Sequence, residues 1–276
     1  MQISKITIVF FIILIAVTSS CDLLSKKENK REEEEVKTET REVKKATSKV
    51  NYQIKTLQKK NTPCVNDECT RIKVGYPKFS TEVKHSKSIN KTIEEKTASL
   101  ISYFVPDSKD TDSPDKLMTS FIEGYKMYKA TFPEAQTKWF VEINSKPSFR
   151  SSDFISVKFE IKSYTGGAHS SEEVVYTNIS SKGRELKKLS HFFRDRQSIK
   201  RLAESKFRKQ NNLSESASLN DAGYLFSNDK FALSDNFGFN QRGLVFFYNN
   251  YEISTASEGI TEINIPLSEL KDNFRF

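Results

Sequence analysis

The feature that most constrains the fold is a series of segments in which apolar and polar residues alternate. A period of two places every second side chain on the same face of a β-strand, so that one face can be buried. Such alternation runs through Lys138–Asn144, Phe154–Tyr164 and Glu172–Ile179. Because a turn at Thr165–Ala168 separates the last two segments, the sequence predicts an antiparallel meander.

The preceding part of the chain predicts a hairpin followed by two helices. Alternating segments at Tyr52–Leu57 and Thr70–Pro77 lie close enough in sequence to pair with each other. Apolar residues at helical spacing then predict helices over about Ser86–Phe104 and about Ser113–Tyr128. Pro114 suits the first turn of the second helix.

The C-terminal part of the chain predicts further helix and strand segments. These are a helix at about Asp195–Arg208, a strand at Phe239–Tyr248 around Gly243, a strand or strand end at Tyr251–Ile253, a last strand at Thr261–Pro266 and a terminal helix opening with Leu267–Leu270. Since the chain has 21 Phe and 10 Tyr, we expect a core rich in aromatic side chains. The whole pattern predicts the α+β fold class, with an antiparallel β-sheet and helices packed on one face.

The N-terminus has the pattern of an exported protein. Lys5, an apolar run at Ile6–Val17 and the small residues Thr18–Ser20 are typical of a signal peptide over residues 1–20. With Cys21 next, the segment resembles a bacterial lipoprotein signal, although that signal usually has a branched aliphatic residue where Thr18 stands. The resemblance implies cleavage before Cys21, lipidation of Cys21, and location in the bacterial cell envelope, at the outer membrane on its periplasmic or exposed side.

Two other interpretations of the N-terminus remain open. The apolar run could be a transmembrane helix, but it is shorter than the roughly twenty residues that a span needs. It could also be an ordinary signal peptide in which Cys21 has no role. Beyond it, the charge-rich stretch Lys26–Lys49 lacks aromatic residues and cannot bury enough apolar surface to offset its ordering entropy. We therefore expect residues 21–50 to form a disordered tether.

The chain is moderately basic, which bears on its partners. It has 44 Lys and Arg against 36 Asp and Glu in 276 residues, a formal net charge of +8. A basic surface can attract anionic glycans, lipid headgroups or nucleic acid. Because the chain lacks recognition-helix, zinc-finger and RNA-binding motifs, we expect no nucleic-acid partner. The oligomeric state stays open.

The sequence offers little for catalysis or metal binding. Cys64 and Cys69 are close together in an exported chain, so a disulfide is the expected pairing. His85, His169 and His191 are scattered and lack the spacing of metal ligands. The chain also lacks a nucleophile-elbow, phosphate-loop or zinc-protease motif. We therefore expect no cofactor, no metal site and no enzymatic activity.

Three segments together resemble the DUF3298 family of bacterial domains. The first is Tyr164–His169, a Gly-Gly-Ala-His turn followed by a strand and by Lys182–Phe193. The second is Leu244–Ile253, followed by Gly259, and the third is Thr261–Leu270. In that family a smaller region, DUF4163, often precedes the domain. The resemblance implies a DUF4163-like region at residues 51–150 and a DUF3298-like domain at residues 151–276.

The resemblance also implies a function at the cell envelope. Some members of the family bind lysozyme through an ectodomain, and others precede a peptidoglycan deacetylase domain, whose metal-binding motifs this chain lacks. It therefore implies a lipid-anchored binding module that recognises lysozyme or a peptidoglycan-like glycan. The alternatives are a cell-wall glycan-modifying enzyme and a structural envelope lipoprotein. The basic net charge opposes a cationic lysozyme unless a local acidic patch forms the interface.

Five residues in these segments are candidate binding positions. Gly166 and Gly167 form an exposed turn that could contact a partner, and glycine there permits a positive φ. His169 follows the turn, Tyr251 lies in the second segment, and Glu252 could pair with His169 across the sheet. The alternative is structural, with a tight turn and a buried His–Glu or Tyr–Glu hydrogen bond that stabilises the fold.

A set of aromatic residues near the C-terminus could form either a sugar-stacking surface or part of the core. The set comprises Phe237, Phe239, Phe246, Phe247, Tyr248 and Tyr251. Core residues are the commoner outcome for such a pattern.

Overall fold

The structure, a computed structural model, describes residues 51–62, 64, 69–109, 112–255 and 259–276. The predictions for the signal peptide, for lipidation of Cys21 and for the tether lie outside these residues. The described residues form one compact unit. Within them, every helix is too short or too polar to cross a membrane.

Five strands form the first sheet, in the same order across the sheet as along the chain. They are β1 (Tyr52–Lys60), β2 (Arg71–Phe79), β3 (Phe140–Arg150), β4 (Phe154–Tyr164) and β5 (Ser171–Ser180). β1 and β2 form the predicted hairpin, and β3 to β5 form the predicted meander. β2 and β3 pair in parallel, so the expectation of a purely antiparallel sheet is wrong at this pair. The helices between these two strands carry the chain back to the end where β2 begins, as a parallel pair requires.

Two helices, α1 (Ser86–Ser102) and α2 (Pro114–Thr131), pack against the first sheet. They lie where the helical spacing predicted them. Ser113 caps α2, because its hydroxyl accepts a hydrogen bond from Lys116 N (3.3 Å). Apolar side chains of the helices and of the strands form the first core, with Ile93 of α1 and Phe159 of β4 both fully buried.

Three short strands form a second sheet, which is antiparallel throughout. They are β6 (Phe237–Asn240), β7 (Gly243–Tyr248) and β8 (Thr261–Ile265). A third helix, α3 (Arg196–Gln210), contacts β8 and helps to enclose a second, Phe-rich core. The fold is therefore α+β as predicted, but it has two sheets, and α3 belongs to the second one.

Three predictions for the C-terminal part are wrong. The predicted strand Phe239–Tyr248 is a hairpin, because the chain turns at 241–242 and Gly243 takes a φ of 131° that glycine adopts without strain. Tyr251–Ile253 lies in a turn rather than a strand. Leu267–Glu269 is a single 3₁₀ turn rather than the opening of an α-helix.

A buried polar network joins the two sheets. The Ser156 hydroxyl of β4 donates to Asn178 Oδ1 (2.8 Å) and accepts from Phe239 N of β6 (2.9 Å). Asn178 Nδ2 donates to a backbone carbonyl oxygen of β6, that of Phe237 (3.0 Å). Gly238 lies among these contacts, where a side chain would collide with the ring of Tyr176. Hydrogen bonds and close packing together therefore set the position of β6 on the first sheet.

Side chains before β6 and after β7 cover the outer edge of β5. Asn249 donates from Nδ2 to Val174 O (3.1 Å) and accepts from Val174 N (2.7 Å). Asn236 accepts from Tyr176 N (2.9 Å) and donates to Val174 O (2.7 Å). The two side-chain amides replace a neighbouring strand and keep this edge from pairing with another chain.

The predicted domain boundary at residues 150 and 151 falls between β3 and β4. Because these two strands pair along most of their length, the first sheet includes strands from both sides of that boundary. The predicted aromatic set is mostly core. Five of its six members are buried, namely Phe237, Phe239, Phe246, Phe247 and Tyr248, whereas Tyr251 is 65% exposed.

Candidate functional site

An exposed surface that combines apolar and acidic side chains lies on the loops before β6 and after β7. We call it the acidic loop face and define it by Asp221, Leu225, Asp229, Tyr251, Glu252 and Ile260. Its large apolar members, Leu225, Tyr251 and Ile260, are 60%, 65% and 54% exposed. A group of such side chains on a surface marks an interaction site more often than a single one does.

Backbone pairing between the two loops holds the acidic loop face together. Leu225 N donates to Ile253 O (2.8 Å), beside an isolated bridge between Tyr224 and Ser254. Ile253 itself is buried. The exposed side chain of Leu225 is therefore attached to a backbone that the structure holds in place, which lowers the entropy cost of binding through it.

Tyr251 and Glu252 are held by the turn that starts at Asn249. The Asn249 amide, anchored on β5, also donates from Nδ2 to Glu252 Oε1 (3.2 Å), and Glu252 N donates to Asn249 O (3.2 Å). Tyr251 has a φ of 67°, a left-handed conformation that a bulky residue rarely adopts. The turn therefore presents the Tyr251 ring to solvent at a cost in backbone strain.

The stretch of sequence that carries the acidic loop face has a net negative charge, although the whole chain is basic. Between Asn211 and Glu262 the sequence has seven acidic and two basic residues. They are Glu215, Asp221, Asp229, Asp235, Glu252, Glu258 and Glu262, against Lys230 and Arg242. A backbone hydrogen bond from Asn220 N to Asp229 Oδ1 (2.8 Å) lowers the pKa of the Asp229 carboxyl. This carboxyl therefore stays ionised at neutral pH.

The predicted turn residues lie at the tip between β4 and β5. Gly166 and Gly167 have φ values of 118° and 103°, the positive values expected of this turn. Both are exposed, and no atom lies near the position of an added Cβ. His169 and Glu252 are also exposed, so neither side chain forms the buried hydrogen bond of the structural alternative.

A groove of about 580 Å³ lies beside this turn, where β2 and β3 begin and β4 ends. We call it the aromatic groove and define it by Arg71, Trp139, Phe140 and Tyr164. The rings of Phe140 and Tyr164 lie 6.4 Å apart, and the Arg71 guanidinium lies 5.3 Å from the Phe140 ring. Tyr164 Oη donates to Gly167 O (2.9 Å), so the turn and the groove form one surface.

Arg71 is also paired with a carboxylate. Its Nη2 lies 3.0 Å from Glu142 Oε1. Aromatic rings next to a paired cation and carboxylate offer stacking and hydrogen bonding to the same ligand. This combination suits a sugar, which has apolar ring faces and polar edges.

Two of the remaining predicted residues form a disulfide. Cys64 and Cys69 are bonded to each other, as predicted. Among the described residues, no cluster of three or more His, Cys, Asp and Glu side chains could hold a metal ion.

Sequence reasoning missed several members of both surfaces. Leu225 and Ile260 look like ordinary core residues, and only the structure shows their exposure. Arg71, Phe140 and Tyr164 are separated in sequence. The parallel pairing of β2 and β3 places Arg71 opposite Phe140, and the antiparallel pairing of β3 and β4 places Tyr164 opposite Phe140. A count of charges in segments would have identified the acidic stretch from the sequence.

Two family models match the chain. Residues 190–268 match the model described as Protein of unknown function (DUF3298), and residues 64–172 match the model described as Deacetylase PdaC. The chain therefore resembles DUF3298 and the PdaC region, as the sequence motifs predicted. Together the matches suggest an extracytoplasmic domain of the cell envelope. No match to a curated protein is found.

Two crystal structures of DUF3298 family proteins share the fold. One is from Bacteroides fragilis NCTC 9343. Its match has a TM-score of 0.56 at 19% identity and covers 82% of this chain and 94% of the other chain. The other, from Pseudomonas aeruginosa PAO1, has a TM-score of 0.59 at 15% identity with the same coverages. At these identities the likeness concerns the fold alone.

Proposed function

We propose that the protein is a non-enzymatic, lipid-anchored binding module of the bacterial cell envelope and that its acidic loop face binds a cationic protein, with lysozyme as the candidate. One observation carries the proposal. The exposed apolar side chains of Leu225, Tyr251 and Ile260 and the exposed carboxylates of Asp221, Asp229 and Glu252 are carried by two loops that pair with each other through their backbones. The family matches to extracytoplasmic domains support it.

The physical roles of the two kinds of side chain differ. Desolvated tyrosine rings near the centre of an interface contribute much of its binding energy. Carboxylates around them accelerate the approach of a positive partner and disfavour negative ones. The local negative charge also answers the objection that a basic chain should repel lysozyme.

A binding experiment with two variants tests this function. Lysozyme is titrated into the protein at physiological salt, where surface charges more than about 8 Å apart are largely screened. Tyr251→Asn removes the ring but keeps a residue that tolerates the left-handed backbone. We expect it to weaken binding at least about tenfold, and Glu252→Gln mainly to slow association.

The matched control is Tyr103→Asn, which removes an aromatic side chain that is 81% exposed at the end of α1. We expect it to leave lysozyme binding unchanged. Binding that is lost at physiological salt, or that falls equally in the control, would overturn the proposal.

The aromatic groove favours a second candidate function, the binding of a peptidoglycan-like glycan. Phe140 and Tyr164 supply the stacking surface and the Arg71–Glu142 pair supplies polar contacts. Soluble peptidoglycan fragments should then bind the protein, and Phe140→Leu should weaken them without changing lysozyme binding. Conversion of the fragments to a new product on incubation would favour the enzyme alternative. If the protein binds neither lysozyme nor the fragments, a structural role would be favoured.

Attachment to the membrane is a further part of the proposal. Each buried CH₂ of an acyl chain contributes about 0.8 kcal/mol, so two or three chains on Cys21 would hold the protein stably. Cells fed a labelled palmitate should incorporate the label into the protein, and Cys21→Ser should abolish it and release the protein from membranes. A protein that stays membrane-bound and unlabelled in both forms would contradict lipidation.

A further inference from the structure

The covering of the β5 edge has a gap. Asn236 covers the backbone as far as Tyr176, and beyond it Leu186 N donates to Asn178 O (2.7 Å). Between these two contacts lies a cavity of about 260 Å³, lined by α1, β5 and the segments at 185–187 and 235–237. We call it the edge cavity. Its size falls below the roughly 300 Å³ at which pockets for drug-sized ligands begin.

Lys96 of α1 lines the edge cavity without a direct counter-ion. Its side chain is half-buried, and in the part of the chain that the structure describes no carboxylate oxygen lies within 4.0 Å of its ammonium. Burial lowers the pKa of Lys96, and the nearby Glu185 only partly opposes this effect. Glu185 is itself paired with Lys187 (3.2 Å). A partly desolvated cation is thus left only partly compensated.

Thr177 of β5 supplies a second unpaired group in the same cavity. Only 2% of the residue is exposed, and its hydroxyl has no hydrogen-bond partner among the described residues. Buried hydroxyls are normally hydrogen-bonded. A hydroxyl donor and a cation that line one cavity without direct partners are the two kinds of group that bind an anion.

From these two groups we propose that the edge cavity binds the carboxylate group of a small molecule, between acetate and an amino acid in size. The Lys96 ammonium pairs with the carboxylate, and the Thr177 hydroxyl donates a hydrogen bond to it. This site is separate from the acidic loop face and from the aromatic groove.

The other charges of the cavity favour a monovalent anion. Lys187 adds a positive charge, whereas Glu185 and Asp235 add negative ones. Tyr176 stays neutral, because burial raises the pKa of its hydroxyl. Because the two cations and two carboxylates of the lining sum to zero, they offer no net attraction to offset the larger desolvation cost of a doubly charged anion such as sulfate. Binding should weaken as the pH rises through the lowered pKa of Lys96, because the neutral amine cannot pair with an anion.

The test uses the full chain and acetate as the probe, with sulfate at matched ionic strength as the reference. Lysine side-chain carbon signals are followed by NMR. We expect acetate to shift the Lys96 signal saturably, with a dissociation constant in the millimolar range, and sulfate to leave it in place. Lys96→Met should abolish saturation and Thr177→Val should weaken it about tenfold. Lys87→Met, an exposed lysine of the same helix, should leave it unchanged.

Chemical protection gives a readout that needs no variant. Acetate should slow the reaction of Lys96 with an amine-directed reagent, measured by mass spectrometry, while exposed lysines react as before. A Lys96 signal that does not move up to about 100 mM acetate, or equal protection by sulfate, would overturn the proposal. Either result leaves lysozyme binding untouched, so the two proposals fail separately.

Discussion

Replacing Gly238 by alanine places a methyl group where the two sheets meet. The new Cβ would lie 2.6 Å from Tyr176 Cγ and 2.7 Å from Ser156 Oγ, whereas non-bonded carbon atoms normally stay about 3.5–4.0 Å apart. Tyr176 would therefore have to move by about 1 Å. Its ring already packs against Val245 and Phe247 in a small core between the sheets, so little space is available. Since Gly238 has no positive φ, the effect is steric alone.

The expected cost can be worked from these contacts. Overpacking a filled core costs about 1–3 kcal/mol, and displacement of Ser156 weakens a buried hydrogen bond worth about 1 kcal/mol. We expect Gly238→Ala to lower the free energy of unfolding by about 3 kcal/mol. For a domain of this size each kcal/mol shifts Tm by about 2–4 °C, so Tm should fall by about 6–12 °C.

Thermal unfolding followed by circular dichroism measures this shift. The matched control is Gly124→Ala, in the middle of α2, where the nearest atom to the new Cβ is 4.0 Å away. It should stabilise the protein by up to about 1 kcal/mol, since alanine is the better helix former. Adding Tyr176→Ala should reduce the cost of Gly238→Ala, because the missing ring leaves room for the methyl group. An unchanged Tm for Gly238→Ala would refute the close packing of the two sheets at this point.

Three further perturbations have defined outcomes. Asn249→Leu leaves the half-buried Val174 N without its hydrogen-bond partner, whereas Val174 O keeps the bond from Asn236, and should cost about 1–3 kcal/mol in urea unfolding. An unchanged midpoint would contradict the edge-covering role. Because the folded-state pKa of Asp229 is lowered, its stabilising contribution is present above the usual value of 3.8 and lost as the pH falls through the folded-state pKa. Asp229→Asn should remove that part of the acid dependence, and identical acid profiles would argue against it. Reducing the Cys64–Cys69 bond, which closes a loop of sequence separation 5, should lower stability by about 2 kcal/mol in the chain-entropy model. Unfolding curves that coincide with and without reductant would exclude that contribution.

Local patterns were sufficient to predict most single elements. β4 extends over Phe154–Tyr164 as the alternation predicted, and α1 and α2 lie on the predicted segments. In each case the spacing of apolar residues reflects which face the element buries. This spacing is visible within about ten to twenty consecutive residues. The Cys64–Cys69 disulfide was equally accessible, because both cysteines are close in sequence.

These local patterns could not predict which distant segments pair with each other. The alternation of β2 and β3 is the same whether they pair in parallel or antiparallel, and nothing local distinguishes the two. The hairpin of β6 and β7 was missed although polar residues at 240–242 interrupt the apolar segment, because both strands are buried on both faces and lack the alternation that marks separate strands. Asn236 and Asn249 look like ordinary loop residues until the fold brings them to the edge of β5.

The residues of the candidate surfaces also differ in whether the sequence could predict them. The family resemblance identified Tyr251 and Glu252, whose loop the structure places in the acidic loop face, and also Gly166 and Gly167 beside the aromatic groove. The exposure of Leu225 depends on long-range packing, which sequence spacing does not record.

The amino-acid order thus determined which residues form each element, which face each element buries, and that the fold is α+β, because these properties follow from the periodicity of neighbouring residues. The arrangement of the two sheets, the parallel pair β2–β3, the gap beside Lys96 and the exposure of the acidic loop face were decided by the tertiary structure. They depend on contacts such as Gly238 with Tyr176 and Asn249 with Val174, whose partners are more than sixty residues apart. Contacts of that range are selected by the fit of the whole core and leave no periodic trace in the sequence.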